Sequence, residues 1–266
     1  MKSVVLTGVS GGMGLITAKL LTENGYHVFG LDYADIGVPF SGLTFIKTDV
    51  TKQKDIEHAF KIISKETKEI DAIISMAGTY DMNSLIEISE EDFLKIFNVN
   101  VFGIYRVNKA FAPLLKEKGK VVMVSSELAP LDPLPFTGLY GITKSTVEKY
   151  AYSLRMELQL LNKQVVLVRP GAVDTSFIAK SNICIERFTK ETKLYSYNAK
   201  RFMEIISGVE GKNIPPVKIA NKICKILDKK KPKYVYKINR NLGLLILNAL
   251  PKRLQNWIIK KILTKK

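Results

Sequence analysis

Tyr140 and Lys144 are two side chains that could share a proton. They stand four apart in Leu139-Tyr140-Gly141-Ile142-Thr143-Lys144, which opens an apolar-periodic run reading as a helix, so both fall on one face about a turn apart. A free phenol titrates near ~10, too high to take up a proton at neutral pH. An ammonium beside it favours the phenolate and lowers that pKa, making the pair a tuned acid or base. Tyr and Lys at this spacing also occur on ordinary solvated faces. The pair therefore gains meaning only from what the rest of the chain sets beside it.

The elements that must position the pair read as alternating strands and helices. Residues 3–7 form a short apolar run, followed by Thr7-Gly8-Val9-Ser10-Gly11-Gly12-Met13-Gly14 and a helical pattern to Asn24, where Gly25 stops it. A strand, a Gly-rich turn and a helix present backbone N–H groups and a helix N-terminus to a pyrophosphate. The next strand, Tyr26 to Asp32, ends on an acid. A carboxylate there can accept both hydroxyls of an adenosine ribose and would repel a 2′-phosphate; no Arg or Lys follows at 33–38. Further strands are expected at 43–48, 71–75, 120–126, 164–169 and 233–238. Helices are expected at 52–68, from Ser89 to Lys116, from Tyr140 to Asn162 and over 216–230. Short, continuous Val/Ile-rich strands between helices imply a doubly wound parallel α/β sheet buried on both faces. Ligands bind such sheets at the strands' C-terminal ends. Gly8–Gly14, Asp32, Asp49, Ala77-Gly78, Ser125-Ser126 and Pro170-Gly171 all fall there, so they should share one edge with the start of the Tyr140 helix.

Composition narrows the class. A chain of 266 residues with 46% hydrophobic content suits one domain with a sizeable core. Cys184 and Cys224 stand in unrelated contexts with no metal-ligand spacing, which points to no metal and a reducing, cytoplasmic setting. Met1-Lys2 leads straight into the first strand, unlike a signal peptide. The net charge of +16 is uneven. Residues 1–211 hold 25 Lys/Arg against 24 Asp/Glu, whereas residues 212–266 hold 16 against Asp228 alone, which is +15.

In order, these motifs resemble the short-chain dehydrogenase/reductase family over roughly residues 2 to 237, which implies a Rossmann-type fold. Thr7-Gly8-x-x-x-Gly12-x-Gly14 looks like its cofactor loop, with Ser10, Gly11 and Met13 inside it. Asp49-Val50 looks like its adenine-contacting pair, and Ala77-Gly78 like its loop after the fourth strand. Pro170-Gly171-Ala-Val173-x-Thr175 resembles its nicotinamide-end loop. Asn100, Ser126, Tyr140 and Lys144 look like its catalytic residues, with Ser125 as the alternative serine. The resemblance implies hydride transfer between a nicotinamide cofactor, NAD rather than NADP, and an alcohol or ketone. Tyr140 would exchange the proton and Ser126 hydrogen-bond the substrate oxygen. Lys144 would lower the phenol's pKa and hold the nicotinamide ribose, and Asn100 would hold a water leading from Lys144 to solvent. A homo-oligomer is also implied. Two departures stand out. Ser75-Met76 replaces the usual Asn-Asn before Ala77-Gly78, and the 14-residue step from Ser126 to Tyr140 is one longer than usual, with Pro130 to Pro135 between. The spacing of Gly8, Gly11 and Gly14 also fits sugar-nucleotide epimerases or dehydratases, and a non-catalytic nucleotide-binding relative is a third reading.

Two segments bear on specificity and partners. Residues 175–215 correspond to the family's substrate lid and carry Phe177, Ile178, Ile183, Ile185, Phe188, Tyr195, Tyr197, Phe202 and Met203. These are expected to line a pocket for a lipophilic alcohol. The domain is expected to close at residue 238. Residues 239–266 then form a basic, amphipathic extension in which Leu254, Trp257, Ile258 and Ile262 share a helical face among lysines and arginine. That pattern suits a membrane surface. The first apolar run, Leu242 to Leu250, is too short to span a bilayer, which needs ~20 residues. No nucleic-acid-binding motif is present, and Arg is scarce.

Overall fold

A computed structural model describes residues 2–209 and 213–264, the side chains of 176–182 and 206–209 excepted. Among these residues seven parallel strands form one sheet in the order β3-β2-β1-β4-β5-β6-β7. They are β1 (Lys2–Thr7), β2 (Tyr26–Asp32), β3 (Leu43–Lys47), β4 (Ile70–Ser75), β5 (Leu115–Val124), β6 (Gln164–Pro170) and β7 (Val235–Ile238). Between them run α1 (Gly12–Glu23), α2 (Gln53–Glu66), α3 (Glu90–Phe97), α4 (Gly103–Phe111), α5 (Gly138–Leu158), α6 (Ser176–Glu191), α7 (Ser196–Val209) and α8 (Val217–Leu227). α9 (Leu242–Ala249) and α10 (Lys252–Leu263) follow β7.

The uninterrupted apolar strands have the expected cause. Val5, Phe29, Leu31, Ile73, Val121, Met123, Val165 and Leu167 point to a core under α2, α4 and α5. Their neighbours Val4, Leu6, Val28, Ile74, Val122, Val166 and Val168 point to the opposite core, under α1 and α8. Successive residues face opposite sides of a strand, so a sheet covered on both sides needs apolar residues at every position. Each such side chain contributes roughly 1.5–3 kcal/mol by leaving water. The chain builds outward from β1 to β3, then returns to the other side of β1 with β4. This leaves a crevice between β1 and β4 at their C-terminal ends.

Two boundaries differ from expectation. The helix expected to run from Ser89 to Lys116 is interrupted by a π-helical turn at Asn98–Phe102 and ends in a 3₁₀ turn at Ala112–Leu114, where Pro113 supplies no backbone donor. Strand β5 accordingly begins at Leu115, five residues early, and its pairing with β4 shifts register between Ile70 and Ala72.

Candidate active site

The turn from β1 into α1 forms a cradle. Gly8 has φ +77°, and a Cβ there would sit 2.7 Å from the Ala77 backbone nitrogen across the crevice. A Cβ on Gly14 would collide with the Gly8 carbonyl oxygen. Glycine is therefore required at both places by space, and at Gly8 also by conformation. α1 is capped by Gly11 with no side-chain hydrogen bond, and its first turn has no acid. Its leading N–H groups and partial positive charge meet no carboxylate from its own first turn. Residues Gly8 to Gly14, with Ser10 and Met13, thus fit the pyrophosphate of a dinucleotide. Thr7 Oγ1 accepts from the backbone nitrogens of Met76 and Ala77, each at 3.2 Å, and ties the two crevice strands together.

At the end of β2 the Asp32 carboxylate accepts from Ser10 N at 3.0 Å and Ala34 N at 3.1 Å. These bonds aim it beside the cradle and leave each oxygen a further lone pair for a ribose hydroxyl. Thr48 N donates to Asp32 O, placing Asp49 and Val50 on the same edge. Asp49 turns its carboxylate onto Thr51, and Val50 packs against Gly103. On the far side Gly171 N donates to Ile238 O after Pro170. Val173 is buried in a bridge with Ile214, and Thr175 lies 3.1 Å from where a Gly12 Cβ would be. The loop after β6 therefore touches the cradle.

Between these ends sits the proton pair. Tyr140 and Lys144 are buried in the first turns of α5, and Ser126, just past β5, hydrogen-bonds the Tyr140 phenol. Ser125 points elsewhere. Its hydroxyl donates to Glu148 Oε1 at 2.9 Å, and Glu148 also holds Arg169 at 2.6 and 2.5 Å. Lys144 Nζ donates to Val124 O at 3.1 Å and lies 5.7 Å from the centre of the Tyr140 ring. Gly78 lies between Lys144 and Asn100. The phenol's position is set by its burial more than by the neighbouring ammonium. Burial pushes Tyr140 up to about 12 against the opposing pull of the Ser126 hydrogen bond, and burial pushes Lys144 down to about 8. Both groups have lost water, and Nζ donates to the Val124 carbonyl.

Asn100 is fully buried in the π-helical turn. Its Oδ1 accepts from Thr79 N at 2.8 Å, while Nδ2 donates to Thr79 O at 2.9 Å and Thr143 Oγ1 at 3.1 Å. Asn100 thus clasps the loop after β4 to α5. Thr143 and Tyr80 were not singled out from the sequence. The Tyr80 ring meets Tyr140 edge-on at 5.0 Å. Thr143 offered one signal, since its position three residues after Tyr140 keeps it on the same helix side; Tyr80 offered none.

The lid differs from its expected role. Ile185, Phe188 and Phe202 are buried in a third core with Met82, and Met203 and Tyr195 pack against it. Phe136 is at its centre, 4.8 Å from the Phe188 ring and 5.6 Å from Phe202. Ile183 and Tyr197 face solvent, and the side chains of Phe177 and Ile178 lie outside the described residues. Most of these side chains fasten the lid rather than line a pocket, because two amphipathic helices need somewhere to bury their apolar faces. A groove of about 770 Å³ lies beside them, walled by Leu85, Pro133 to Phe136, Gly138, Tyr195 and α10. Among the described residues no group of His, Cys, Asp and Glu could hold a metal.

Comparison with known proteins agrees with this arrangement. The family model for short chain dehydrogenases matches residues 2–183. A 3-ketodihydrosphingosine reductase of Bacteroides thetaiotaomicron is 28% identical, covering 97% of this chain and 96% of the relative. An NADPH-dependent 1-acyldihydroxyacetone phosphate reductase of Schizosaccharomyces pombe is 30% identical, covering 79% and 73%. A short-chain dehydrogenase from Streptomyces avermitilis shares the fold with a TM-score of 0.79 at 21% identity, covering 97% and 96%. With a cradle, a buried Ser–Tyr–Lys set and a sheet in this order, the chain belongs to the short chain dehydrogenase family and is an oxidoreductase of CH–OH or keto groups.

Proposed function

We propose that the protein transfers a hydride between NAD and a lipophilic secondary alcohol or ketone, with Tyr140 as the acid–base. The observation that carries this reading is the hydrogen bond from Ser126 to a Tyr140 buried beside Lys144, at the sheet edge that also holds the Gly8–Gly14 cradle. The cofactor would be held by Gly8 to Gly14 at its pyrophosphate, Asp32 at the adenosine ribose, and Asp49 and Val50 at the adenine. Ala77, Gly78, Pro170, Gly171, Val173 and Thr175 would hold its nicotinamide end, with Lys144 at that ribose. When bound, the nicotinamide supplies or accepts the hydride. The chain's own side chains do the rest. Tyr140 Oη holds the proton exchanged with the substrate oxygen, and Ser126 Oγ steadies charge on that oxygen. Lys144 favours the phenolate once charged, and Asn100 positions the helix turn that carries Tyr140 and leads a water toward Lys144.

NAD is favoured over NADP because Asp32 sets a carboxylate where a 2′-phosphate would lie and residues 33–38 bring no cation. A lipophilic substrate is favoured by the apolar walls of the groove, and two relatives are named for keto- and acyl-bearing substrates. The reading includes a cytoplasmic setting, supported by two free cysteines, and contact with membranes at their surface only. No helix among the described residues is long and apolar enough to cross a bilayer. It also includes a homo-oligomer through the outer faces of α4 and α5, where Tyr105, Tyr152 and Met156 stand exposed. The domain closes at residue 238 in this reading, with 239–266 as an appended element.

Replacing Tyr140 with Phe tests the assignment. NADH binding, followed by fluorescence titration, stays within about twofold. Turnover over a panel of long-chain, steroid and sugar ketones falls at least ~10²-fold, the lower end of what a positioned acid–base contributes. Activity preserved in the Phe variant would mean another group moves the proton.

A further inference from the structure

The C-terminal extension is fastened to the protein by groups other than its outward apolar stripe. Asn241 N donates to Glu127 Oε2 at 2.6 Å, and Asp132 N donates to Asn248 Oδ1 at 2.7 Å. Lys252 pairs with Asp132, and Asn198 Nδ2 donates to Leu263 O at 2.6 Å. α10 turns Gln255, Ile259 and Leu263 toward the protein, the last two joining the core beneath α6 and α7. Leu254, Trp257 and Ile262 look outward and are 42%, 56% and 44% exposed, while Leu242 and Ile246 of α9 are 71% and 66% exposed.

A surface helix ordinarily buries its apolar stripe. Here much of the stripe faces out, and it carries the chain's only tryptophan. Single exposed apolar side chains need no explanation, but three large ones on one face of a twelve-residue helix do, and the helix before it exposes two more. Arg253, Lys260 and Lys261 stand exposed among them, and Lys261 Nζ lies 4.8 Å from the centre of a Trp257 ring. No acid follows Asp228 in the sequence. A second copy meeting this face through a two-fold axis would set cations against cations. A bilayer with anionic headgroups satisfies both halves of the pattern, taking Trp and Leu at the acyl boundary and the ammonium and guanidinium groups at the phosphates.

We propose that α10 seats the protein on an anionic lipid surface through Leu254, Trp257 and Ile262, set among Arg253, Lys260 and Lys261. α10 is also a wall of the groove whose other side includes Gly138, two residues before Tyr140, so docking brings the groove to the headgroups. The inference rests on the membrane-surface reading of the extension and on no feature of catalysis.

Trp257 emission reports this face alone. Titrating the full chain with phosphatidylglycerol vesicles shifts the emission to the blue, and lipids brominated along the acyl chain quench it; phosphatidylcholine vesicles do neither. Leu254→Glu with Ile262→Glu abolishes flotation with phosphatidylglycerol vesicles. Arg253→Gln with Lys261→Gln weakens it by roughly 25-fold, about fivefold per charge. Tyr140→Phe floats as the parent does, so docking and catalysis fail separately. Unmoved emission, equal binding to both vesicle types, or a dimer lost in the Leu254→Glu/Ile262→Glu chain with flotation intact overturns the proposal.

Discussion

Burial drives Tyr140 and Lys144 in opposite directions, and the pH dependence of the reaction follows from that. Carbonyl reduction needs a protonated phenol and a charged Lys144. With Tyr140 pushed up to about 12, the phenol keeps its proton across the working range. With Lys144 pushed down to about 8, the ammonium is present below that pH and lost above it. At saturating NADH, kcat/KM for reduction is therefore level on the acid side and falls as pH rises through about 8. A profile level to pH 10 would show that the charge on Lys144 does not matter. Asp32 governs a different quantity. Asp32→Ala removes a charge-assisted hydrogen bond to the ribose, worth about 1.5–3 kcal/mol, so the KM for NADH rises roughly 10- to 100-fold while NADPH gains relative to it. Steady-state kinetics with both cofactors check this, and an unchanged NADH/NADPH ratio excludes Asp32 from the ribose site. The local spacings were readable. Tyr140 and Lys144 are four apart, and Asp32 closes the short apolar run that begins at Tyr26. Ser126 was the serine expected from the sequence, with Ser125 as the alternative; what engages Ser125, the Glu148 carboxylate that also holds Arg169, lies too far along the chain for local spacing to reveal.

Among the elements, the π-helical turn at Asn98–Phe102 has the largest effect on the site. It places Asn100 against both Thr79 and Thr143. Asn100→Ala leaves the half-buried Thr79 N–H and C=O without these partners, a loss of about 1–3 kcal/mol. The urea midpoint drops accordingly. Asn100→Asp, which keeps the acceptor for Thr79 N, recovers part of it; equal midpoints in all three chains would mean that the clasp bears no strain. Nothing local marks that turn, since Asn-Val-Asn-Val-Phe reads as ordinary helix and the partners that reward the bulge lie elsewhere. Pro113, by contrast, is a local signal for the end of α4 that the expected helix to Lys116 passed over. The strands were legible because burial on both faces writes itself into every residue. The lid was legible only as apolar, because a side chain facing a substrate and one facing Phe136 obey the same preference for leaving water.

At the scale of the whole molecule, charge is unevenly placed. The main body is near neutral and the last stretch strongly basic. Tyr105 and Tyr152 stand exposed on α4 and α5, well apart in sequence from the extension. If those helices pair between copies, Tyr105→Lys with Tyr152→Glu converts a dimer to a monomer in mass photometry while vesicle flotation persists; an unchanged mass distribution removes the α4/α5 contact from consideration. The clasps made by Asn241, Asn248, Lys252 and the Leu263 carbonyl carry one more consequence. They grip the segment between Ser126 and Tyr140 and the lid helix α7, yet they emerge from the ribosome after everything they hold. Domains begin folding from the N-terminus during synthesis. The sheet and its cradle can therefore assemble on a nascent chain, while the rim of the groove stays unfinished until the final helices arrive. An unfinished chain would form its cofactor cradle before it could shape the rim of the groove.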